Sequence, residues 1–492
     1  MSLSFNSNNG DFPDLVLRPR QEDHYKRIIN ILKTSPFYID GSLMGTGKTF
    51  VALSVAMTYH LPVIVVCPNR AKSVWMNEIS KYGIATYAVP DSGPLISYDL
   101  LRSRIGVVCK HGLLTRLDVR NKKGSIKPVF RTTELFRNLV HVGVMLILDE
   151  FQYIKNDSGN QKAVRELVRY ICTRQSPSKV ALLSGTSMCA EYQATNLFDT
   201  IGYIDKDYLK SAYARKDFSI LGPILDKCIR IDKARTLEIM NSDMPVKSKM
   251  FHLFTDVVKT RTLSIMPCEN FDASIKNKLH VIEPNDRENY YTGLRMLTGY
   301  EELIQKGGIG HIAKMMVLLQ KGKMGAMAVA ARKYLSGACK EGEICRKLIL
   351  FVDYHEVVDY LLQALSDYSP REYTGRTASE GNTAIDMFQE PNDRCRLLIA
   401  NPVTGGTSIS LHDTHGGYPR AMFIMPNYKT ISIHQAAYRI FRDSLKSKAK
   451  VRIFYGECEE VFFLNSMYRK GGVLQKVHDE QGIVFPNNYV MS

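Results

Sequence analysis

The stretch Ser42-Leu-Met-Gly-Thr-Gly-Lys-Thr49 decides how this chain is read. Gly45 and Gly47 let backbone N–H groups turn inward around a polyphosphate, a path that a Cβ obstructs. In such a loop Lys48 is expected to reach the outer phosphates and the Thr49 hydroxyl to hold Mg²⁺, with Thr46 part of the same cradle. Glycine-rich turns also serve purely conformational ends, so the flanks matter. Phe37-Tyr-Ile-Asp40 reads as a buried strand and Thr49 to Tyr59 as a helix, the context a phosphate cradle requires. The first position of the usual G-x₄-G-K-S/T pattern is Ser42 rather than glycine.

Outward from that loop, short apolar runs recur, each followed by a turn and a helical stretch. They are Phe37–Ile39, Val63–Cys67, Val144–Leu148 and Val180–Leu183, then Leu348–Val352, Leu397–Ala400, Ala421–Met425 and Val451–Phe454. Brief apolar runs alternating with helices mean parallel strands buried on both faces. Two groups of four, separated by a long helix-rich middle, predict two α/β lobes. One helix start in that middle is Pro284-Asn285-Asp286-Arg287-Glu288, where Asn285 is placed to cap and Glu288 to reach back. Asn121-Lys-Lys-Gly-Ser-Ile-Lys-Pro128 reads as an exposed basic loop.

The bulk numbers narrow the classes. A chain of 492 residues exceeds one ordinary core. Hydrophobic residues make up 45% and charged residues 23%, as in a soluble globular protein. No apolar run approaches the ~18 residues of a membrane span, and the polar N-terminus lacks a signal-peptide layout. Ten cysteines are scattered with no CxxC pair, which argues against structural zinc and for a reducing, intracellular compartment. The formal charge of +16, from 65 basic and 49 acidic residues, favours a nucleic acid partner.

Leu146-Ile-Leu-Asp149-Glu150-Phe-Gln-Tyr supplies the second chemical signal. A strand ending in Asp-Glu places Asp149 near Mg²⁺ and leaves Glu150 to accept a proton from an attacking water. An acidic pair at a strand end also serves as a capping device; following an apolar strand and a phosphate loop, it supports phosphate-bond hydrolysis instead.

These and further segments resemble, in order, the superfamily-two helicase-like ATPases, specifically the Swi/Snf-type DNA translocases. Leu17-Arg-Pro-Arg-Gln21 looks like the adenine-reading segment, which implies Gln21 as a nucleotide contact. Val65-Val-Cys-Pro-Asn-Arg-Ala-Lys-Ser-Val-Trp-Met-Asn-Glu78 is similar to the first DNA-facing motif, including Trp75 and Glu78, and Ile96-Ser-Tyr-Asp-Leu-Leu101 to the Ser-Tyr segment. Asp149-Glu150-Phe-Gln-Tyr-Ile-Lys-Asn156 matches the extended acidic box. Leu183-Ser184-Gly185-Thr186 resembles the segment linking hydrolysis to lobe motion. Later, Tyr373-Thr-Gly-Arg-Thr, Thr404-Gly-Gly406-Thr-Ser408-Ile-Ser-Leu411 and Gln435-Ala-Ala-Tyr-Arg439-Ile-Phe-Arg442 look like the second lobe's motifs.

The resemblance implies two RecA-like lobes with parallel sheets and a helical insertion between them. The expected bounds are a flexible tail over 1–14, a first lobe over 15–205, the insertion over 206–340, a second lobe over 341–480 and a tail over 481–492. It implies catalytic roles for Lys48, Asp149, Glu150 and the fingers Arg439 and Arg442, three apart on a predicted helix. ATP would rest on Gln21, Gly45, Thr46, Gly47, Lys48 and Thr49, with Mg²⁺ on Thr49 and Asp149. Coupling falls to Ser184, Gly185, Thr186, Gly406 and Gln435, and nucleic acid contact to Asn69, Arg70, Thr404 and Ser408. The chain departs from the pattern at Phe151, Tyr438, Asp443, Ser408 and Ser410, which puts coupling and substrate choice in doubt.

The leading expectation is an ATP-driven translocase on double-stranded DNA, working in the nucleus or another DNA-containing compartment, with protein partners in transcription, remodelling or repair. A strand-separating DNA or RNA helicase is the first rival, and a nucleic-acid-binding scaffold with a silent ATP site the second. None of the three involves a membrane.

Overall fold

The apolar runs fold as strands, and they do so in two separate parallel sheets. The structure, a computed structural model, describes residues 12–120, 124, 126–206, 209, 221–266, 277–281, 285–298, 309–377, 383–401, 409–427, 433, 435, 436, 438–441, 445–456, 472, 473, 476, 477 and 489–491. Two compact units divide the chain, Met1–Cys268 with Val473–Ile483 and Glu269–Gly472 with Val484–Ser492.

In the first unit the strands are β1 (Phe37–Asp40), β2 (Val63–Cys67), β3 (Leu95–Ser97), β4 (Arg104–Ile105), β5 (Val108–Cys109), β6 (Leu114–Arg120), β7 (Ile126–Thr132), β8 (Met145–Asp149), β9 (Lys179–Leu183) and β10 (Leu263–Ser264). Six of them form one sheet in the order β10-β1-β9-β8-β2-β3, with every pairing parallel. Alternate residues enter opposite cores: Phe37, Ile39, Leu146 and Leu148 on one face, Tyr38, Val63, Val65 and Ile147 on the other. That two-sided burial is why these strands read as continuous apolar runs. The remaining four pair antiparallel as β4-β5-β6-β7. Part of the expected basic loop therefore lies in a strand, since β7 begins at Ile126.

Three helices matter for the site: α1 (Pro19–Leu32), α2 (Lys48–Thr58) and α3 (Lys72–Lys81). Helix α2 follows β1 and α3 follows β2, so their N-termini lie beyond the carboxyl ends of parallel strands. Open α/β sheets bind ligands at that edge.

The second unit holds β11 (Asn277–Val281), β12 (Lys347–Phe351), β13 (Arg371–Tyr373), β14 (Leu397–Ala400), β15 (Arg420–Ile424), β16 (Ala449–Tyr455) and β17 (Tyr489–Met491). They pair in the order β13-β14-β12-β15-β16-β11-β17, again in parallel. β17 lies in residues expected to be a tail.

The helices of the middle stretch, expected as one insertion over 206–340, divide between the units because they bury their apolar faces in different cores. Ile224, Cys228, Ile239, Phe251 and Phe254 join the first unit's core. Tyr290, Met315, Met316 and Leu319 join the second's. The helix Arg287–Thr298 is capped by Asp286, whose Oδ1 accepts from the Asn289 N–H at 3.0 Å. Asn285, expected at that post, instead accepts from the Gly325 N–H at 2.9 Å. Among the described residues no helix is long and apolar enough to cross a membrane.

Candidate active site

Strand β1 ends on Asp40, and the chain turns from there into the loop that starts α2. Gly45 has φ +81° and Gly47 φ +97°, backbone that residues with a Cβ resist. A Cβ on Gly47 would also stand 2.1 Å from Gln21 Nε2. The loop is braced from within: the Ser42 N–H donates to Asp40 Oδ1 at 2.9 Å and Thr46 Oγ1 to the Leu43 carbonyl at 2.8 Å. Lys48 Nζ lies inside the turn, donating to the carbonyls of Ser42 at 2.8 Å and Leu43 at 3.0 Å. Lys48 and Thr49 are half-buried, within reach of a ligand in the turn.

Gln21, expected to read adenine, is buried and holds the loop in place. Its Nε2 donates to the Thr46 carbonyl at 3.0 Å, and its Oε1 accepts from the Arg18 N–H at 2.9 Å. The same amide thus caps α1 and ties that helix to the phosphate loop.

Beneath the loop lies a buried polar cluster that the sequence does not announce. His24 and Asp40, both fully buried, face each other with Nε2 and Oδ2 3.0 Å apart. Ser264 Oγ meets His24 Nδ1 at 2.9 Å, and the Met266 N–H donates to Ser42 Oγ at 2.8 Å. Burial pushes the Asp40 carboxyl up, but His24, Lys48 and Ser42 outweigh it and hold it below the usual carboxylate range. The hydroxyl that Ser42 brings to a glycine position therefore has a partner, the strand end at β10.

The acidic pair closes β8. Asp149 Oδ2 accepts from Trp75 Nε1 at 2.8 Å, and the Asp149 carbonyl accepts from the Tyr98 hydroxyl at 2.9 Å. Glu150 follows in the left-handed region at φ +55°, the kind of strain that non-glycine residues show at functional turns. Burial and the Glu150 charge hold the Asp149 carboxyl above the usual range, against the Trp75 hydrogen bond and Lys48.

A chain of bonds runs on from Glu150. Gln152 Nε2 donates to Glu150 Oε2 at 2.5 Å, Ser184 Oγ to Gln152 Oε1 at 2.5 Å, and the Thr186 N–H to Ser184 Oγ at 3.0 Å. The Ser184 N–H donates to the Asp40 carbonyl at 3.0 Å, and a Cβ on Gly185 would lie 3.0 Å from the Ser42 carbonyl oxygen. Phosphate loop, acidic pair and the segment 184–186 thus touch one another.

The trailing residues of the acidic box serve packing. Asn156 Oδ1 accepts from the Tyr192 hydroxyl and from Gln193 Nε2, which fixes the helix Tyr192–Thr200. Asn69 and Arg70 occupy a 3₁₀ turn between β2 and α3, with Asn69 exposed and Arg70 half-buried. In the second unit Gln435 is buried, and Arg439 is 2% exposed with Nη1 donating to the Ile409 carbonyl at 3.2 Å. Arg439 sits in a turn over 438–440, where a helix was predicted. Arg442, Thr404, Gly406 and Ser408 lie outside the described residues.

Among the described residues no group of three or more His, Cys, Asp or Glu side chains could hold a metal alone. Mg²⁺ arriving with a triphosphate needs no such cage, since one or two protein oxygens and the phosphates suffice. The Thr49 hydroxyl and the Asp149 carboxylate are donors of that hard type. The half-buried Asp149 carboxyl, raised by desolvation and by the charge of the buried Glu150 beside it, is also an arrangement that a divalent cation relieves.

No family model matches the chain. Among curated proteins it is 23% identical over 453 residues to the “Putative ATP-dependent RNA helicase L364” of Acanthamoeba polyphaga mimivirus, covering 89% of this chain and 78% of that one. It is 22% identical over 458 residues to the “Chromatin remodeling factor mit1” of Schizosaccharomyces pombe, covering 83% of this chain and only 29% of that larger protein. Among solved structures, S. cerevisiae Dbp5 bound to RNA and ADP BeF3 aligns over 97% of this chain and 94% of its own, at 11% identity and a TM-score of 0.48.

Proposed function

We propose that this chain, a divergent superfamily-two helicase-like protein, is a nucleic-acid-stimulated ATPase that moves along double-stranded DNA. The observation that carries the reading is the junction at Ser184, whose N–H bonds the strand end before the phosphate loop and whose hydroxyl leads through Gln152 to Glu150. A loop for phosphates and a carboxylate for a water proton, braced by one residue, fit cleavage of a phosphoanhydride better than passive binding.

In this reading Gly45, Thr46 and Gly47 surround the β- and γ-phosphates, and the Lys48 ammonium exchanges its two loop carbonyls for phosphate oxygens. Thr49 and Asp149 would hold Mg²⁺, which would neutralise charge on those oxygens when bound. Glu150, oriented by Gln152, accepts the proton of the attacking water. Arg439 and Arg442 are the proposed source of positive charge for the departing phosphate, and Gln435 and Gly406 of the coupling in the second unit. Asn69, Arg70, Thr404 and Ser408 are the proposed backbone contacts, which grip phosphates without reading sequence.

Duplex DNA is favoured by the ordered motif set, by the net charge of +16 and by a relative named as a chromatin remodeling factor. Such a role would place the protein in the nucleus or another DNA-containing compartment, with partners in transcription, remodelling or repair. One observation favours a second reading, an RNA helicase: the mimivirus relative that covers most of both chains carries that name.

ATP turnover measured without nucleic acid and with duplex DNA, single-stranded DNA and RNA, at several salt concentrations, separates these readings. Stimulation by duplex DNA supports the translocase, and stimulation confined to RNA supports the rival. Turnover by Glu150→Gln at the wild-type rate would remove the catalytic assignment altogether.

A further inference from the structure

Trp75 belongs to a segment expected to face nucleic acid, yet its side chain is 1% exposed and its indole points inward. An indole N–H can only donate, and once buried it must find an acceptor. The acceptor here is no backbone carbonyl but the Asp149 carboxylate, at 2.8 Å. A bond of that length to an ionised group is of the stronger, charge-assisted kind. From another element, the Tyr98 hydroxyl holds the Asp149 carbonyl at 2.9 Å while the Tyr98 ring stacks on Tyr153 with centroids 5.1 Å apart. The carboxylate is therefore fixed through its side chain by α3 and through its backbone by the segment after β3.

We propose that Trp75 is a positioning residue for the metal-binding carboxylate: it sets the orientation in which Asp149 meets Mg²⁺ and couples that carboxylate to the turn bearing Asn69 and Arg70. The inference rests on the ATP-site reading above and deepens it. Partners that orient a metal ligand from outside the coordination sphere commonly control metal affinity, because an unconstrained ligand must be ordered anew at each binding event. Helix α3 begins directly after the Asn69–Ala71 turn, so the indole bond connects the helix that follows this turn to the carboxylate.

Trp75 is the chain's one tryptophan, so its emission reports a single site. In the wild-type protein, a non-hydrolysable ATP analogue should change the emission when Mg²⁺ is present and leave it nearly unchanged in EDTA. Binding of a labelled analogue is followed in parallel on wild type and on Trp75→Phe, which keeps an aromatic ring but has no N–H to donate. The Mg²⁺ concentration at half-saturation should rise about 10- to 100-fold in the variant, the usual loss for such partners. Its affinity for the analogue in EDTA should stay within about threefold of wild type if the ring is merely replaced in the core.

Equal weakening with and without Mg²⁺ would reduce Trp75 to a packing role and overturn the proposal. So would wild-type emission that ignores Mg²⁺ while Mg²⁺ tightens analogue binding, a result that stands even if Trp75→Phe fails to fold. Absence of analogue binding to the wild-type protein would instead sink the ATP-site reading, and this inference with it.

Discussion

Ser184 Oγ donates to Gln152 Oε1 at 2.5 Å, and this bond joins the segment after β9 to the carboxylate of Glu150. Ser184→Ala leaves the Gln152 amide oxygen buried without its donor, which costs about 1–3 kcal/mol of stability. It also frees the amide that orients Glu150. ATP turnover should fall about tenfold, a fraction of what losing the base itself costs, while nucleotide affinity stays near wild type. Parallel turnover and binding measurements check this. A drop in affinity matching the drop in turnover would mean that the bond serves the phosphate loop instead.

Ser42 stands where a glycine is usual, and its hydroxyl accepts the Met266 N–H. Ser42→Gly restores the common pattern but strands that N–H beside a side chain that is 1% exposed. The expected loss is about 1–3 kcal/mol, the cost of an unpaired buried donor. Urea unfolding followed by far-UV circular dichroism measures it. Gained stability in the variant would show that Met266 finds another acceptor and that the serine is incidental.

The legible parts of this molecule are those whose signal is local. Lys48, Thr49, Asp149 and Glu150 stand out because loop and strand-end chemistry is written within a few consecutive residues. The eight apolar runs became strands because two-sided burial removes polar residues from them. β3, β10 and β13 are only two or three residues long, too short for any periodicity to register. β11, Asn-Lys-Leu-His-Val, lacks a continuous apolar run, so the helix-rich middle carries no strand signal of that kind. The site's supports are the least legible part, since they join residues far apart in the chain. Trp75 and Asp149 are separated by 74 positions, Ser42 and Met266 by 224, and His24 and Ser264 by 240. Motif position says nothing of hydrogen bonds, so the bonds that the Gln21 amide makes to Thr46 and Arg18 could not be read from the sequence.

His24 and Asp40 form a fully buried pair. Removing one partner leaves the other charge or dipole uncompensated, so His24→Leu should cost about 3–5 kcal/mol. His24→Gln should cost less, because its amide can still donate to Asp40. The folded Asp40 carboxyl titrates below its unfolded value, so the stability it confers is full above about pH 4 and fades as pH falls through the folded value. Wild-type and His24→Leu stabilities should therefore differ most near neutrality and approach each other in strong acid. A difference independent of pH would assign the loss to packing alone.

Lys347 is buried at the start of β12, with Nζ donating to the carbonyls of Phe388 at 2.8 Å and Glu390 at 2.6 Å. Burial, and then the neighbouring Arg420, push its pKa down to about 8. Between that value and the unfolded lysine value of about 10.4, the unfolded chain holds a proton that the folded chain has released. Stability contributed through Lys347 therefore rises with pH across this window. The thiols of Cys345 and Cys395, pushed up by burial, act in the opposite direction, but they are present in wild type and variant alike. Lys347→Met removes the lysine and keeps an unbranched apolar chain. Subtracting its unfolding free energy from that of wild type at pH 7.5, 9 and 10.5 should give a difference that climbs by about 3 kcal/mol. Denaturant titrations at each pH supply the numbers. A flat difference would mean that Lys347 stays charged in the fold, held by its two carbonyls strongly enough to cancel the cost of burial.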